Sequence, residues 1–425
     1  MARLVIQGQR RLSGVFRPVG NKNAVLPMLA AAVLTDAAVT LHNVPLILDV
    51  QTMLELLASL GVTVQSSGAT VTLCAAGLRR RHLDRDLCHR VRSSILLAGP
   101  LAARYGRAVL HPPGGDVIGR RRLDAHFAGL RALGISVEGG QYYTFRRRQL
   151  RGAEILLDEA SVTATESVLM AACLAQGTTT VFNAACEPHV LDLGQLLLRM
   201  GARIQGLGTN RLTIEGVAAL AGATHTVGPD HVEIGSVLAA AAATRGELTV
   251  EGAAAPAALS VLARTFQRLG VAWACEGERL VLPAKQALRI LRDQGSAIPK
   301  IEDGPWPAFP SDLMSVMIVL ATQARGTVLF FEKMFESRMY FVDRLIEMGA
   351  HIIQCDPHRV VVAGPSRLHG IHLSGPDIRA GMGLIISALC AKGPSVIENA
   401  QVIDRGYEQI DARLRALGAD IVRED

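Results

Sequence analysis

The chain has 425 residues, of which 49% are hydrophobic and 19% charged. At roughly 150 residues per domain this length predicts two or three domains, and the composition excludes a disordered protein. The formal charge of +6 would suit nucleic acid, but aromatic residues make up only 4% of the chain, so few rings could stack on bases and nucleic acid is not expected as a partner.

The cysteines and the N-terminal segment bear on the cellular compartment. The seven cysteines are scattered, odd in number and form no C-x-x-C pair, which argues against a disulfide framework and against a zinc site. The first 20 residues lack the continuous apolar segment of a secretory signal, and no run of about 18 apolar residues predicts a membrane helix. The sequence therefore predicts a cytoplasmic protein that does not insert into a membrane.

Taken in chain order, the predicted elements repeat one pattern six times, at intervals of about 70 residues. An amphipathic helix ends in Leu-Gly or Met-Gly, and a short strand of alternating polarity follows it. Glycine suits this position because a helix commonly closes with a left-handed residue, which a side chain would penalise. The six glycines are Gly61, Gly134, Gly201, Gly270, Gly349 and Gly418.

A second pattern lies between these helices and consists of a very apolar helix, a polar turn and a β-branched strand. Its six copies cover residues 26–44, 94–110, 167–183, 235–250, 313–331 and 383–399. Helices such as Met28–Val33 and Leu238–Ala243 are rich in alanine and leucine on all sides, which predicts that they are buried.

Together the two patterns predict an α/β fold of two lobes with three repeats each, in which helices pack inward, sheets lie outside and a ligand cleft separates the lobes. An ordinary doubly wound sheet is the alternative, although that fold does not usually impose six near-equal repeats. The G-x-x-x-x-G-K-[ST], H-E-x-x-H and three-glycine dinucleotide motifs are absent, so kinase, zinc hydrolase and dehydrogenase activities lack support.

Two charged segments of the first half suggest an anionic ligand. Lys22 and Asn23 stand at the start of a very apolar helix, where free backbone N–H groups and the helix dipole favour an anion. Lys22 could therefore bind phosphate, and an exposed capping lysine is the alternative. The glycine-rich loop 112–124 holds the carboxylate of Asp116 and leads into the run Arg120–Arg122, whose guanidinium groups suit phosphate.

The second half places acidic residues in four short segments, three of which also hold an arginine after or near the acid. These segments are residues 308–312, 335–338, 376–379 and 403–407. Any one of them alone is compatible with a surface ion pair.

In combination, these segments resemble the enolpyruvyl transferase family, in the branch that serves peptidoglycan precursor synthesis. The resemblance runs from end to end through G-x-K-N-A-x-L-P, P-G-G-x-x-I-G-x-R, A-F-P-x-D, F-E-x-R, D-x-R-A and I-D-R-G-Y-E. It implies two lobes, each an inside-out α/β barrel of three repeats. Residues 22–228 form the first lobe, with the Asp116 loop, and residues 1–21 with 229–425 form the second.

The resemblance also implies the reaction and the residues that perform it. The enolpyruvyl group of phosphoenolpyruvate is transferred to the 3-hydroxyl of UDP-N-acetylglucosamine by addition and elimination of phosphate, without a metal or an organic cofactor and without an obligate protein partner. Asp312 is the implied base, Asn23 holds the acceptor or the tetrahedral adduct, and Asp377 supports proton transfer at C3 of phosphoenolpyruvate. The cations around its phosphate and carboxylate are Lys22, Arg121, Arg338, Arg379 and Arg405.

Other matching positions line the UDP-sugar pocket in the family. They are Arg92, Arg122, Leu123, Asp124, Ala125, Ser161, Val162 and Met334. Two positions depart from frequent family residues, because Glu159 replaces a lysine and Thr163 replaces a glycine. The diphosphate is then expected to depend more on the arginines.

Asp116 is the departure with the clearest chemical consequence. Many relatives carry a reactive cysteine here, to which fosfomycin attaches, so this aspartate-loop variant is expected to be insensitive to that antibiotic. A carboxyl group near arginines should be ionised at neutral pH, whereas a thiol can still donate a proton. Either Asp116 acts as an anion, or closure of a mobile loop excludes water and protonates it transiently.

Two further interpretations remain open. The acceptor could instead be shikimate 3-phosphate or a free nucleotide, although the Arg120–Asp124 loop favours UDP-N-acetylglucosamine. The chain could also be a non-catalytic paralogue that binds a UDP-sugar and regulates the pathway.

Overall fold

The computed structural model describes residues 2–253 and 256–424. The α-helices of these residues are α1 (Lys22–Ala31), α2 (Leu48–Leu60), α3 (Arg85–Arg90), α4 (Ala98–Tyr105), α5 (Asp124–Ala132), α6 (Val162–Ala172), α7 (Pro188–Arg199), α8 (His231–Ala243), α9 (Pro256–Arg268), α10 (Met314–Thr322), α11 (Val342–Glu347), α12 (Ile378–Cys390) and α13 (Ile410–Ala416). Across this part of the chain, no helix combines the length and the apolar character needed to cross a bilayer.

The strands are short, as expected for six small sheets. They are β1 (Arg3–Gln7), β2 (Ser13–Phe16), β3 (Val39–His42), β4 (Thr63–Ser67), β5 (Thr70–Cys74), β6 (Arg107–Leu110), β7 (Ile135–Glu138), β8 (Tyr143–Arg147), β9 (Glu154–Leu156), β10 (Thr178–Phe182), β11 (Arg203–Gln205), β12 (Arg211–Glu215), β13 (Ala223–Thr226), β14 (Glu247–Glu251), β15 (Ala274–Glu276), β16 (Arg279–Leu282), β17 (Lys300–Glu302), β18 (Gly326–Phe331), β19 (Ile352–Asp356), β20 (Arg359–Gly364), β21 (His372–Ser374), β22 (Pro394–Glu398) and β23 (Asp420–Glu424).

The six repeats share one sheet topology. Their orders are β13-β3-β5-β4, β6-β8-β7, β9-β10-β12-β11, β2-β14-β16-β15, β17-β18-β20-β19 and β21-β22-β1-β23. In the four-stranded sheets the first strand of this order is parallel to the second, and the other pairs are antiparallel. In the three-stranded sheet the parallel edge shortens to one bridge between His82 and Val109.

The very apolar helices are buried, which confirms that prediction. Every residue of α8 and of α10 is buried, and α1, α6 and α12 are nearly as enclosed. Helices α6, α10 and α12 each connect the two parallel strands of one sheet. These helices carry apolar residues on all sides, and they therefore lie inside the sheets rather than at the surface.

The six predicted helix ends are also confirmed. Helices α2, α5, α7, α9, α11 and α13 are each followed within one or two residues by the expected glycine. All six glycines adopt left-handed backbone, with φ between +78° and +100°. A residue with a Cβ atom would be strained there, which explains why glycine recurs at this point of each repeat.

Contacts between residues divide the chain into two units. The first unit comprises Gly20–Gly115 and Arg122–Gly228, and the second comprises the chain up to Val19, the segment Asp116–Arg121 and the chain from Pro229 onwards. Each unit contains three of the sheets and one continuous apolar core. Each is therefore an inside-out α/β barrel of three repeats, while residues 1, 254, 255 and 425, which the sequence assigns to the second lobe, lie outside the described residues.

The N-terminal strands complete two sheets of the second unit. Strand β1 lies between β22 and β23, with Leu4 opposite both Ile397 and Arg423. Strand β2 is the parallel neighbour of β14. The last repeat of the chain thus obtains its central strand from the first residues of the chain.

Candidate functional site

Asp312 lies between two arginines in the second unit. It belongs to the short helical turn Ser311–Leu313 that precedes α10. Its Oδ1 accepts a hydrogen bond from Arg338 Nη2 at 3.1 Å, and its Oδ2 accepts one from Arg379 Nη2 at 2.8 Å. Three segments that are far apart in sequence therefore meet at one carboxylate.

The two arginines are buried and retain unused N–H donors. Arg338 is 4% exposed and Arg379 is 5% exposed. Among the described residues, Nε and Nη1 of Arg338 and Nη1 of Arg379 have no hydrogen-bond partner. Buried donors without partners are costly, and a phosphate or carboxylate group supplies the oxygen acceptors that guanidinium groups prefer. This arrangement can bind an anionic substrate.

Burial and neighbouring acidic side chains have opposite effects on the pKa of Arg379. Burial alone would lower the pKa of this guanidinium, but Asp312, Tyr407 and Asp230 raise it above its usual value. The guanidinium also lies over the Tyr407 ring, 5.4 Å from its centroid. Arg379 therefore stays fully charged although it is enclosed.

Asp116 forms an ion pair with Arg405, also within the second unit. Arg405 Nη1 donates to Asp116 Oδ1 at 2.6 Å, and the two side chains are only 21% and 16% exposed. In Arg121, five residues further along this loop, burial lowers the pKa of the guanidinium while Asp116 opposes that effect. The loop thus adds the carboxylate of Asp116 and the guanidinium of Arg121 to the predicted set.

Backbone contacts explain why Asp116–Arg121 groups with the second unit although its flanking residues belong to the first. The N–H of Arg120 donates to Glu336 Oε2 at 3.1 Å, and the N–H of Ser337 donates to the carbonyl of Ile118 at 3.1 Å. A Cβ atom on Gly119 would lie 2.1 Å from Glu336 Oε2, at a φ of +130°. Only glycine fits this close approach.

Asp377 is the N-cap of α12. Its Oδ1 accepts from the N–H groups of Arg379 at 2.9 Å and Ala380 at 3.0 Å, and the residue is 1% exposed. Burial raises the pKa of this carboxyl above its usual value, while Arg338 and the two N–H groups oppose the shift. A buried carboxyl with a raised pKa can carry a proton closer to neutral pH.

The sequence reasoning missed Asp230 and His231, which open the neighbouring helix α8. Asp230 Oδ1 accepts from the N–H groups of Val232 at 2.8 Å and Glu233 at 3.2 Å. Burial lowers the pKa of His231, whereas Asp230 and Asp312 raise it. An acid directly before an apolar helix is the signal that could have found Asp230, since Asp377 occupies the same position in its repeat.

In the first unit, Lys22 is buried rather than exposed. Its Nζ lies 2.7 Å from Asp49 Oδ2, and the two residues are 8% and 5% exposed. Asn21 caps the helix, since its Oδ1 accepts from the N–H groups of Asn23 at 2.8 Å and Ala24 at 3.1 Å. The alternative of an exposed capping lysine is therefore wrong.

The starts of α5 and α6 carry most of the predicted UDP-sugar residues. Ser161 caps α6, where its Oγ accepts from the N–H of Ala164 at 3.4 Å, and Val162 is the first residue of the helix. Arg122 pairs with Asp124 at 2.6 Å on the exposed surface next to the first turn of α5, and Arg92 Nη2 reaches the carbonyl of Arg122 at 3.5 Å.

Leu123 and Ala125 are buried at the start of α5, and Thr163 contributes to the same region. Thr163 Oγ1 lies 2.8 Å from Nε2 of His126, so the residue that replaces a frequent glycine links α5 to α6. Burial, with a smaller contribution from Arg92, lowers the pKa of His126 to about 3. Glu159 is exposed, where a carboxylate would repel a diphosphate.

The predicted residues fall into two sets. Those of the second unit are Asp116, Arg121, Asp312, Met334, Arg338, Asp377, Arg379 and Arg405, and those of the first unit are Lys22, Asn23, Arg92, Arg122, Leu123, Asp124, Ala125, Ser161 and Val162. Within the second unit, Asp312 joins two arginines directly, and Asp116 joins a third. Met334 is 39% exposed, and its N–H donates to Glu332 Oε1 at 3.3 Å.

Comparison with known proteins gives consistent relatives over the whole chain. The family model described as EPSP synthase (3-phosphoshikimate 1-carboxyvinyltransferase) matches residues 6–414. A protein named UDP-N-acetylglucosamine 1-carboxyvinyltransferase from Bradyrhizobium diazoefficiens is 52% identical over 420 residues, which cover 99% of this chain and 97% of the relative. The protein of that name from Treponema denticola is 51% identical over 422 residues, 99% of each chain.

Solved structures support the fold. The enolpyruvyl transferase NikO from Streptomyces tendae gives a TM-score of 0.88 at 24% identity, over 99% of this chain and 98% of that one. EPSP synthase from Acinetobacter baumannii gives 0.76 at 17% identity, over 100% of both chains. These likenesses confirm the predicted α/β fold class. From the family model and the relatives together, this chain belongs to the EPSP synthase family of enolpyruvyl transferases and groups there with the UDP-N-acetylglucosamine 1-carboxyvinyltransferases.

Proposed function

We propose that this enzyme transfers the enolpyruvyl group of phosphoenolpyruvate to the 3-hydroxyl of UDP-N-acetylglucosamine and releases phosphate, as a step of peptidoglycan precursor synthesis. Relatives that carry this acceptor in their name are 51% and 52% identical, whereas the EPSP synthase structure is 17% identical. The alternatives, shikimate 3-phosphate or a free nucleotide as acceptor, are therefore not favoured. A non-catalytic paralogue is not favoured either, since the proposed catalytic residues are all present.

The arginine pair around Asp312 is the observation that carries the proposal. Phosphoenolpyruvate bears a phosphate and a carboxylate, and the N–H donors of Arg338 and Arg379 without partners among the described residues are suited to such groups. An anionic group bound at these N–H groups would share the positive charge of the two guanidinium groups with Asp312, which itself binds their Nη2 atoms. The carboxylate of Asp312 would then be more available to accept the proton of the sugar hydroxyl.

Transfer also needs proton donation to C3 of phosphoenolpyruvate and its later removal. Asp377 suits this role because burial raises the pKa of its carboxyl group, so that it can hold a proton closer to neutral pH. Asp116 faces Arg405 as an ion pair, which places its carboxylate beside a cation of the proposed phosphoenolpyruvate site. Arg121 and Arg405 of the second unit are proposed to meet the negative charge that develops on the leaving phosphate.

The UDP-sugar is proposed to occupy the starts of α5 and α6 of the first unit, together with Asn23. The N-terminus of α6 and the guanidinium groups of Arg92 and Arg122 offer donors for the diphosphate. No metal is required in this scheme, because side-chain cations provide the positive charge. We propose a cytoplasmic location, since none of the described cysteines forms a disulfide, and we expect no nucleic-acid or obligate protein partner.

A phosphate-release assay tests the proposal. The purified protein is incubated with phosphoenolpyruvate and, in turn, UDP-N-acetylglucosamine, shikimate 3-phosphate and UDP, and the product is identified by its mass. We expect acceptor-dependent release with UDP-N-acetylglucosamine alone. Release with shikimate 3-phosphate or UDP at a comparable rate would reassign the acceptor, and binding without release would indicate a regulatory protein.

A further inference from the structure

Two acidic side chains of the second unit are buried side by side next to the turn that carries Asp312. Asp303 follows β17 and Glu332 follows β18, and these parallel strands pair in register up to Glu302 and Phe331. The two acids are therefore opposite each other at the next position. Both are 0% exposed.

Glu332 contacts both sides of the proposed anion site. Each of its carboxylate oxygens accepts from Ser311 Oγ at 2.9 Å, and Oε1 also accepts from the N–H groups of Met334 at 3.3 Å and Phe335 at 3.2 Å. Its Oε2 lies 3.9 Å from Nε of Arg338. One carboxylate thus holds the turn of the proposed base and the loop of a substrate-binding arginine.

Asp303 contributes differently. Its Oδ1 accepts from the N–H of Lys333, while its buried Oδ2 has no donor among the described residues unless it shares a carboxyl proton with Glu332. Burial raises the pKa of Glu332 to about 9, hydrogen bonding and repulsion from Asp303 add to the shift, and Arg338 opposes it. Near neutral pH, therefore, Glu332 holds its proton, which it can donate to the buried Oδ2 of Asp303.

We propose that Glu332 is a positioning residue of the transferase site, whose carboxylate fixes the Ser311–Asp312 turn and the Arg338 guanidinium, with Asp303 sharing the proton that makes this buried pair tolerable. The inference rests on the proposed function, because enolpyruvyl transfer is its kinetic readout. Glu332 does not itself contact the reacting atoms; it acts through Asp312 and Arg338.

Two amide variants of the same pair form a matched test. Asp303→Asn leaves both accepting oxygens of Glu332 in place, whereas Glu332→Gln replaces one of them with an NH2 group that cannot accept from Ser311, Met334 or Phe335. We expect Asp303→Asn to keep kcat/KM for phosphoenolpyruvate within about threefold. Glu332→Gln should lower it by about 10-fold or more, because hydrogen bonds that fix the site are lost. Equal effects of the two variants, or an unchanged Glu332→Gln enzyme, would overturn the proposal.

Thermal melting at several pH values reports on the pair without using the reaction. In the folded protein the pKa of Glu332 lies above its ordinary value of 4.5. The stability that this protonated carboxyl group contributes is therefore fully present below pH 4.5 and is lost as the pH rises towards 9. Arg338, Lys333 and His358, whose Nδ1 lies 2.7 Å from the Glu332 carbonyl, also face this region and are unchanged in both variants.

Both amide variants should therefore lose less stability than the wild type between about pH 5 and pH 9. A wild-type slope that neither variant alters would overturn the shared proton, and with it the proposal. Absence of transfer by the wild type would instead refute the proposed function, whatever the melting curves show. The two failures are thus distinguishable.

Discussion

The two units share one architecture and differ in the residues that open their buried helices. In the second unit, acids stand at the starts of α8, α10 and α12, namely Asp230, Asp312 and Asp377. In the first unit, α1 and α6 are capped by the neutral side chains of Asn21 and Ser161. The repeat therefore sets where polar groups can be placed, and the residues that differ between repeats set the charge at each place.

This difference determines what each unit can bind. In the second unit, Asp312 holds two arginines that are almost fully buried, Arg338 and Arg379, which concentrates positive charge suited to a small anion. The first unit offers helix starts, the Lys22–Asp49 pair and arginines that are more exposed, such as Arg122. We interpret the second unit as the main source of the phosphoenolpyruvate site and the first as the main source of the UDP-sugar site.

The largest effect is expected from removing the central charge of the second unit. Asp312→Asn should lower kcat by about 10² to 10⁴-fold, because a general base is lost and the charge between Arg338 and Arg379 disappears. Steady-state phosphate release measures kcat, and circular dichroism verifies folding. Asp343→Asn, on the exposed face of α11 in the same unit, is the control and should retain activity. Comparable activity of both variants would remove Asp312 from the mechanism.

The next largest effect on activity is expected from the Asp116 loop, which groups with the second unit although its flanking residues belong to the first. Asp116→Asn removes the partner of Arg405 and any acid or base function, so we expect kcat to fall by about 10²-fold. Full turnover would refute an acid-base role.

Fosfomycin should not inactivate the wild type, and Asp116→Cys should acquire time-dependent inactivation, measured as residual activity after preincubation.

The sequence predicted the repeated features well because they depend on local chemistry. The left-handed backbone at Gly61 and its five counterparts follows from what a helix end requires, and the burial of α8 follows from its composition. The charged segments were also recognisable, since each combines unusual residues within a few positions. Their roles as a site remain proposals, which the contacts around Asp312 support.

Features that depend on pairing between distant segments were not predictable. Asp303 and Glu332 become neighbours only through the register of β17 and β18, and short strands do not reveal their register in sequence. Asp49 likewise meets Lys22 only after α1 and α2 pack together. In the sequence, each of these acids cannot be distinguished from an ordinary surface carboxylate, because its partner lies in another segment of the chain.

A smaller effect should distinguish the first unit by its response to acid. Burial lowers the pKa of His126 to about 3, so the folded chain keeps this ring neutral while the unfolded chain takes up a proton below its ordinary pKa of 6.5. The associated stability is present above that pH and is lost as the pH falls towards 3.

His126→Gln keeps a side chain able to reach Thr163 and removes this titration. Relative to about pH 8, the wild type should lose about 2 kcal/mol more than the variant at about pH 5. Chemical denaturation at both pH values measures this difference. His89→Gln, an exposed histidine of the same unit, is the control. Identical acid sensitivity of wild type and His126→Gln would mean that His126 is not buried as a neutral ring.

The smallest effect tests what the two units have in common. Gly201 of the first unit and Gly418 of the second both have φ of +97°, and a Cβ atom would meet nothing within 4 Å at Gly201 and only the Arg11 carbonyl oxygen, at 3.4 Å, at Gly418. An alanine at either position should therefore cost about 1 kcal/mol of unfolding free energy, from backbone conformation alone. Both glycines close the helix of their repeat with the same left-handed backbone. Gly201→Ala and Gly418→Ala should therefore give nearly equal losses of unfolding free energy, measured by urea denaturation. A clearly larger loss in one unit would show that the repeats are equivalent in shape but not in local stability.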